Sequence, residues 1–185
     1  MVWPLDPSVI GETSCCHSQR ETFRTRARPA ASALKGTPKR IFNSASVPPE
    51  RCVFCKIVKG ELPAQKVYED ERYIAFLDIN PFSRGHTLVC PKAHGETIWD
   101  MKEGEIGELF MTASKISKAV VEATGADGFR FVQNNGEAAN QVVAHVHVHV
   151  IPIALHQKGK VMDRLKFTEK EMSETADKIR ESVAG

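Results

Sequence analysis

Long hydrophobic runs are missing from this 185-residue chain. With no stretch of about 18 consecutive apolar residues, a membrane-spanning helix is excluded. A large excess of either acidic or basic residues is lacking as well. The formal net charge is +2 and unevenly spread: residues 1–50 carry seven Lys/Arg against four Asp/Glu, whereas residues 51–185 carry 18 against 19. A body so close to neutral argues against binding along an extended nucleic-acid backbone, which needs a basic face. A small anionic ligand needs only a few local donors and stays possible. The five cysteines, at 15, 16, 52, 55 and 90, are odd in number and follow no secretory signal. That speaks against a disulfide framework and for a reducing compartment. Cys90, inside the apolar run Thr87-Leu88-Val89-Cys90, reads as a buried free thiol. Internal repeats are absent too. What is present, with 42% hydrophobic residues, suffices for one ordinary globular core.

Residues 1–50 show no hydrophobic periodicity, and between Thr22 and Pro49 they hold six basic residues and no acidic one. This composition predicts a disordered extension. It also resembles a mitochondrial or plastid transit peptide, densest at Arg24, Arg26 and Arg28, although Asp6 and Glu12 and the lack of Lys or Arg before Arg20 fit that pattern poorly. A presequence would direct the domain to an organelle; without one, the cytoplasm or nucleus is expected. A nucleic-acid-binding arm is a third reading of the same charge.

From residue 51 onward the pattern changes. Short β-like runs at Lys66–Tyr68, Tyr73–Leu77, His86–Cys90, Phe129–Gln133 and Val142–Ile151 are separated by Gly, Pro, Asp and Asn. Between the third and fourth, Ile106, Leu109, Phe110, Ala113, Ile116, Val120 and Ala123 recur at helical spacing over Glu103–Thr124, with Gly125 placed to cap the C-terminus. Met172, Ala176, Ile179 and Val183 predict a second helix over Thr168–Val183. The expected fold is α+β: an antiparallel sheet of about five strands with a central amphipathic helix and a C-terminal helix.

The most informative segment is Ala144-His145-Val146-His147-Val148-His149-Val150-Ile151-Pro152. Strict alternation in a strand puts every histidine on one face and every valine on the other, with same-face neighbours roughly 6.6 Å apart. Two chemistries compete for such a ridge. Neighbouring imidazoles could converge on a zinc ion that activates water. Alternatively, the middle imidazole could attack phosphorus as a neutral nucleophile while its neighbours donate hydrogen bonds.

His145-Val-His147-Val-His149-Val-Ile resembles the signature of the histidine triad superfamily. The likeness extends to Cys52-Val-Phe-Cys55, Ala75-Phe-Leu-Asp78-Ile79, Gly85-His86-Thr-Leu-Val-Cys-Pro-Lys-Ala-His94 and Gln133-Asn134-Asn135-Gly136, in the family's order, and is nearest to the Hint-like, adenosine 5′-monophosphoramidase branch. It implies a purine nucleotide pocket and cleavage of AMP-X conjugates, through a nucleotidyl intermediate on His147. His149 would contact the α-phosphate, and His86 would support the catalytic histidine. Asp78 would accept the ribose hydroxyls, Asn134 would bind near phosphate or ribose, and Phe54, Ile57, Leu62, Phe76 and Ile79 would enclose the base. Asn140 and Gln141 join the nucleotide-binding set. Val142 stands where the family often has Ser or Thr, so a hydrogen bond there is missing or comes from Gln141 or the backbone. Alternatives are cleavage of dinucleoside polyphosphates or adenylyl sulfate, or a regulator that binds nucleotide without needing turnover. The resemblance further implies a two-fold homodimer.

Cys52-x-x-Cys55 by itself admits redox, zinc-binding or coincidental readings. A redox pair of the thioredoxin type would need a strand-to-helix setting in a parallel sheet, which the sequence lacks, and tetrahedral zinc would need two further ligands from far along the chain. The resemblance to zinc-bearing members supplies them as His94 and His145. Such a Cys2His2 site would be structural, with no catalytic metal required.

Overall fold

The computed structural model describes residues 47–160 and 162–184, which fall within one compact unit, Lys39–Gly185. The expectations for residues 1–46 lie outside the described residues. A short helix α1 (Val53–Val58) leads into strands β1 (Lys66–Glu69), β2 (Tyr73–Leu77) and β3 (Thr87–Pro91), followed by the long helix α2 (Glu103–Thr124). Strands β4 (Gly128–Val132) and β5 (Val148–Ile153) and helix α3 (Glu169–Ala184) complete the order. The five strands form one antiparallel sheet in the order β1-β2-β3-β5-β4. Among the described residues, no helix is long and apolar enough to cross a membrane.

The expected period of α2 is realised in its burial. Leu109, Ala113, Ile116 and Val120 are fully buried against the sheet, together with Ala176 and Ile179 of α3. Each fully buried Leu or Ile contributes about 1.5–3 kcal/mol. Gly125 ends α2 in the left-handed conformation (φ 64°), its N–H and that of Ala126 donating to the carbonyls of Glu122 and Val121. Alternation then divides the strands. Tyr73, Ala75, Leu77, Val89, Val148 and Val150 face α2 and α3, while Ile74, Phe76, Leu88 and Cys90 face α1 with Phe54 and Ile57.

Gly85 fixes the turn into β3. Its φ is +82°, and an added Cβ would lie 2.5 Å from Thr124 Cγ2 at the end of α2. Only glycine fits so close to the helix in that conformation.

The triad strand starts later than the alternation predicts. β5 begins at Val148, so His145 and His147 lie in its lead-in rather than on a continuous ridge with His149. Val143–Val146 leave the ladder because their backbone has other partners: His145 N–H donates to Val143 O at 2.8 Å and Val146 N–H to Gly95 O at 2.8 Å. The valines nonetheless keep one side, since Val146, Val148 and Val150 are all fully buried. Off the pleat, His145 turns toward Cys52, Cys55 and His94, while the His147 and His149 rings stay together with centroids 4.8 Å apart. β3 likewise starts at Thr87, leaving His86 on the turn before it.

Candidate active site

On the α1 side of the sheet lies a cavity of about 710 Å3. Its apolar wall comes from Phe54 and Ile57 of α1, Phe76 of β2, Leu88 of β3 and Val132 of β4; its polar groups include Asp78, Asn134, Asn140, His147, His149 and Arg164. β5 sits between β3 and β4, with His149 paired across to Leu88 on one side and Val132 on the other. That central register sets the histidine at the cavity floor.

The hydrogen-bond partners fix the tautomers. His147 Nδ1 lies 2.6 Å from the carbonyl of His145. A carbonyl only accepts, so Nδ1 carries the proton and the other ring nitrogen keeps a free lone pair. For His149 the logic runs through three groups. The Phe82 N–H donates to His86 Nδ1 at 3.2 Å, so the His86 proton is on Nε2 and is donated to His149 Nδ1 at 2.9 Å. His149 therefore carries its proton on Nε2. The two cavity-lining rings thus offer one acceptor and one donor. Burial holds the His86, His147 and His149 rings below the usual imidazole range, keeping them neutral.

Asp78 directly follows β2 and accepts the Asn80 N–H through Oδ1 at 2.8 Å, which orients the carboxylate. Its second oxygen lies 3.6 Å from His86 Nδ1 and 3.4 Å from a guanidinium nitrogen of Arg164. Asp78, His86 and His149 are close enough to suggest a metal cluster. They do not fit one: His86 Nδ1 is taken by the Phe82 N–H, the His86–His149 contact is a satisfied hydrogen bond, and a fixed cation stands beside the carboxylate.

The four residues Cys52, Cys55, His94 and His145 do gather in one place. His145 Nε2 donates to Pro91 O at 2.8 Å, so its Nδ1 lone pair faces the cluster. From there Cys52 Sγ and Cys55 Sγ are each 3.5 Å away and His94 Nδ1 is 3.4 Å away; Cys55 Sγ to His94 Nδ1 is 3.3 Å. A tetrahedral zinc site has edges of roughly 3.6 Å between sulfur and nitrogen and roughly 3.3 Å between nitrogens, given bonds of about 2.3 and 2.05 Å. The donor set and its spacing fit a closed four-ligand metal site. Burial and the neighbouring Cys52 push the Cys55 thiol up to about 12, so that thiol is protonated when no cation is bound.

Of the residues singled out in the sequence, Phe54, Ile57, Phe76, Asp78, Ile79, Asn134, Asn140, His147 and His149 all line the cavity. Three assignments change. His86 supports His149 rather than His147, whose partner is a backbone carbonyl. Gln141 does not line the cavity: it is buried, its oxygen accepting the Gly136 N–H at 2.7 Å and its amide donating to Glu96 O and Val143 O at 2.6 and 3.0 Å. It therefore cannot replace the hydroxyl that Val142, 89% exposed at the rim, lacks. Leu62 is likewise not among the lining residues. Sequence reasoning missed Arg164 and Phe82. Arg164 stacks 4.0 Å above the Phe82 ring and also donates to the Asn80 carbonyl. It lies in a polar stretch without periodicity, where no sequence signal marks it.

A small α+β domain with a central histidine-bearing strand and an apolar-walled cavity is the architecture of a small-ligand site rather than of a broad interface. Residues 59–156 match the HIT domain, and the chain belongs to the HIT family. It is 42% identical over 101 residues to a Schizosaccharomyces pombe protein named adenosine 5′-monophosphoramidase, the match covering 55% of this chain and 73% of that protein. An Arabidopsis thaliana protein named adenylylsulfatase is 46% identical over 101 residues, covering 55% of this chain but about half (51%) of that relative. A zinc-bound histidine triad protein from Mycobacterium smegmatis superposes with a TM-score of 0.67 at 36% identity, covering 74% of this chain and 96% of that one.

Proposed function

We propose that the chain hydrolyses AMP-X conjugates through a covalent intermediate on His147. The observation that carries this reading is the His147 Nδ1–H bond to the His145 carbonyl, which leaves the second nitrogen as a neutral nucleophile on a buried, cavity-lining ring. That nitrogen attacks the α-phosphorus, the P–X bond breaks, and X departs with the bond's electron pair. The positive charge left on the nucleotidylated imidazole is met by the carbonyl on Nδ1. His149 Nε2–H donates to the phosphoryl region, held in place by His86. Water then displaces the imidazole, so AMP-X and water become AMP and HX. The apolar wall takes the purine, and the Asp78 carboxylate takes the ribose hydroxyls. An amine is the leaving group supported by the phosphoramidase relatives; adenylyl sulfate is a second substrate supported by the Arabidopsis relative. His147→Ala is expected to lower AMP release from adenosine 5′-phosphoramidate at least about 1,000-fold while AMP still binds. Equal activity in that variant overturns the mechanism.

Cys52, Cys55, His94 and His145 would hold a structural zinc ion, which when bound ties α1 to the lead-in of β5. Dimerisation is part of the same reading. β4 is an edge strand bearing Phe129, 45% exposed, and Phe131, which packs on Phe110 of α2. A second copy pairing along this edge would cover both the open strand and the aromatic patch.

A further inference from the structure

We propose that Arg164 is a positioning residue for ribose recognition, acting through Asp78. The inference rests on the nucleotide reading of the cavity and extends it to a part of the chain beyond residue 156, where the HIT domain match ends.

Arg164 is fixed from three directions. Its guanidinium stacks 4.0 Å over Phe82, donates to the Asn80 carbonyl, and lies 3.4 Å from Asp78 Oδ2. The backbone beside it is tied down as well, the Leu165 N–H donating to Pro81 O at 2.7 Å. The next residues are anchored too: Arg84 lies 4.8 Å over the Phe167 ring and pairs with Glu171 at the start of α3, which packs on α2 and β1. Residues 164–167 are therefore laid along the Asn80–Arg84 loop at the Asp78 end of the cavity.

A carboxylate that must accept two vicinal hydroxyls has to present both oxygens at a set angle, and rotation about its last bond destroys that angle. The Asn80 N–H holds Oδ1, and Arg164 holds Oδ2. An ionised carboxylate oxygen has lone pairs for both the guanidinium and a hydroxyl. Arg164 is also the only Arg or Lys among the described lining residues, so its charge offsets that of Asp78 where an anionic substrate enters.

The test compares full-length wild type with Arg164→Gln, Arg164→Lys, Asp78→Asn and the Arg164→Gln/Asp78→Asn double variant. Substrates are adenosine 5′-phosphoramidate and its 2′-deoxy counterpart, with AMP and 2′-deoxy-AMP titrated by calorimetry. Wild type is expected to prefer the ribose forms. Arg164→Gln should raise KM for the ribose substrate about tenfold with kcat within about twofold, and should shrink the ribose preference by the same factor. The double variant should lose no more preference than Asp78→Asn alone, because the two residues act as one unit. Arg164→Lys should recover part of the preference through its charge. An unchanged ribose preference in Arg164→Gln, or equal losses on ribose and deoxyribose substrates, overturns the positioning role while leaving the nucleotide reading intact. Failure of wild type to bind either nucleotide overturns both.

Discussion

At the scale of single residues, burial decides what each polar group can do. Gln141 is bound on three sides inside the protein, so Gln141→Leu strands the Gly136 N–H and the Glu96 carbonyl, while Val143 O keeps the bond from the His145 N–H. A loss of about 2–4 kcal/mol is expected in urea denaturation, with activity falling because the His145–His147 lead-in loosens. His86 gives a pH dependence of known sign. Burial lowers its folded-state value below 6.5, so as the pH drops through that value the unfolded chain binds a proton that the folded chain refuses. Stability is complete above about pH 6.5 and falls below it. The difference in denaturation midpoint between pH 7 and pH 5 should correspond to about 1–2 kcal/mol more in wild type than in His86→Gln.

At the scale of elements, periodic segments were legible in the sequence and aperiodic ones were not. The spacing of Leu109, Ala113, Ile116 and Val120 predicts α2 with its cap, and the Val146–Val150 alternation predicts which side of the triad segment packs into the helix-covered core. Where β5 begins could not be read, because the ladder stops when Gly95 and Val143 claim backbone donors, and those partners are remote or irregular. The cavity wall was legible only through family resemblance, since Phe54, Phe76 and Ile57 are ordinary apolar residues by composition. Sequence also does not show which way a side chain turns off an irregular backbone, so the bonds of Gln141 to Gly136, Glu96 and Val143 and of His86 to His149 could not be read from it. Gly85 yields a sharp expectation at this scale. Gly85→Ala combines a positive φ with a 2.5 Å clash on Thr124, and should cost about 2 kcal/mol or more, seen as a lower Tm. For α1, a strong chelator or Cys55→Ser should lower Tm and raise the KM for nucleotide, as Phe54, 5.2 Å from the His147 ring, shifts with the helix.

At the scale of the whole molecule, β4 leaves one edge of the sheet open beside the half-exposed Phe129. Light scattering should give twice the chain mass for wild type, and Phe129→Lys should move the population toward monomer without abolishing the fold, because this side chain is already half-exposed. A monomeric wild type would remove the dimer from the proposed function.

The last strand to be made occupies a middle place in the sheet, pairing His149 with Leu88 across some sixty residues of intervening chain. During synthesis, then, β3 must wait with an unpaired edge until β4 and β5 have left the ribosome. No shorter nascent fragment can hold the imidazoles in register, so catalytic competence arrives with the closing of the sheet rather than growing with chain length.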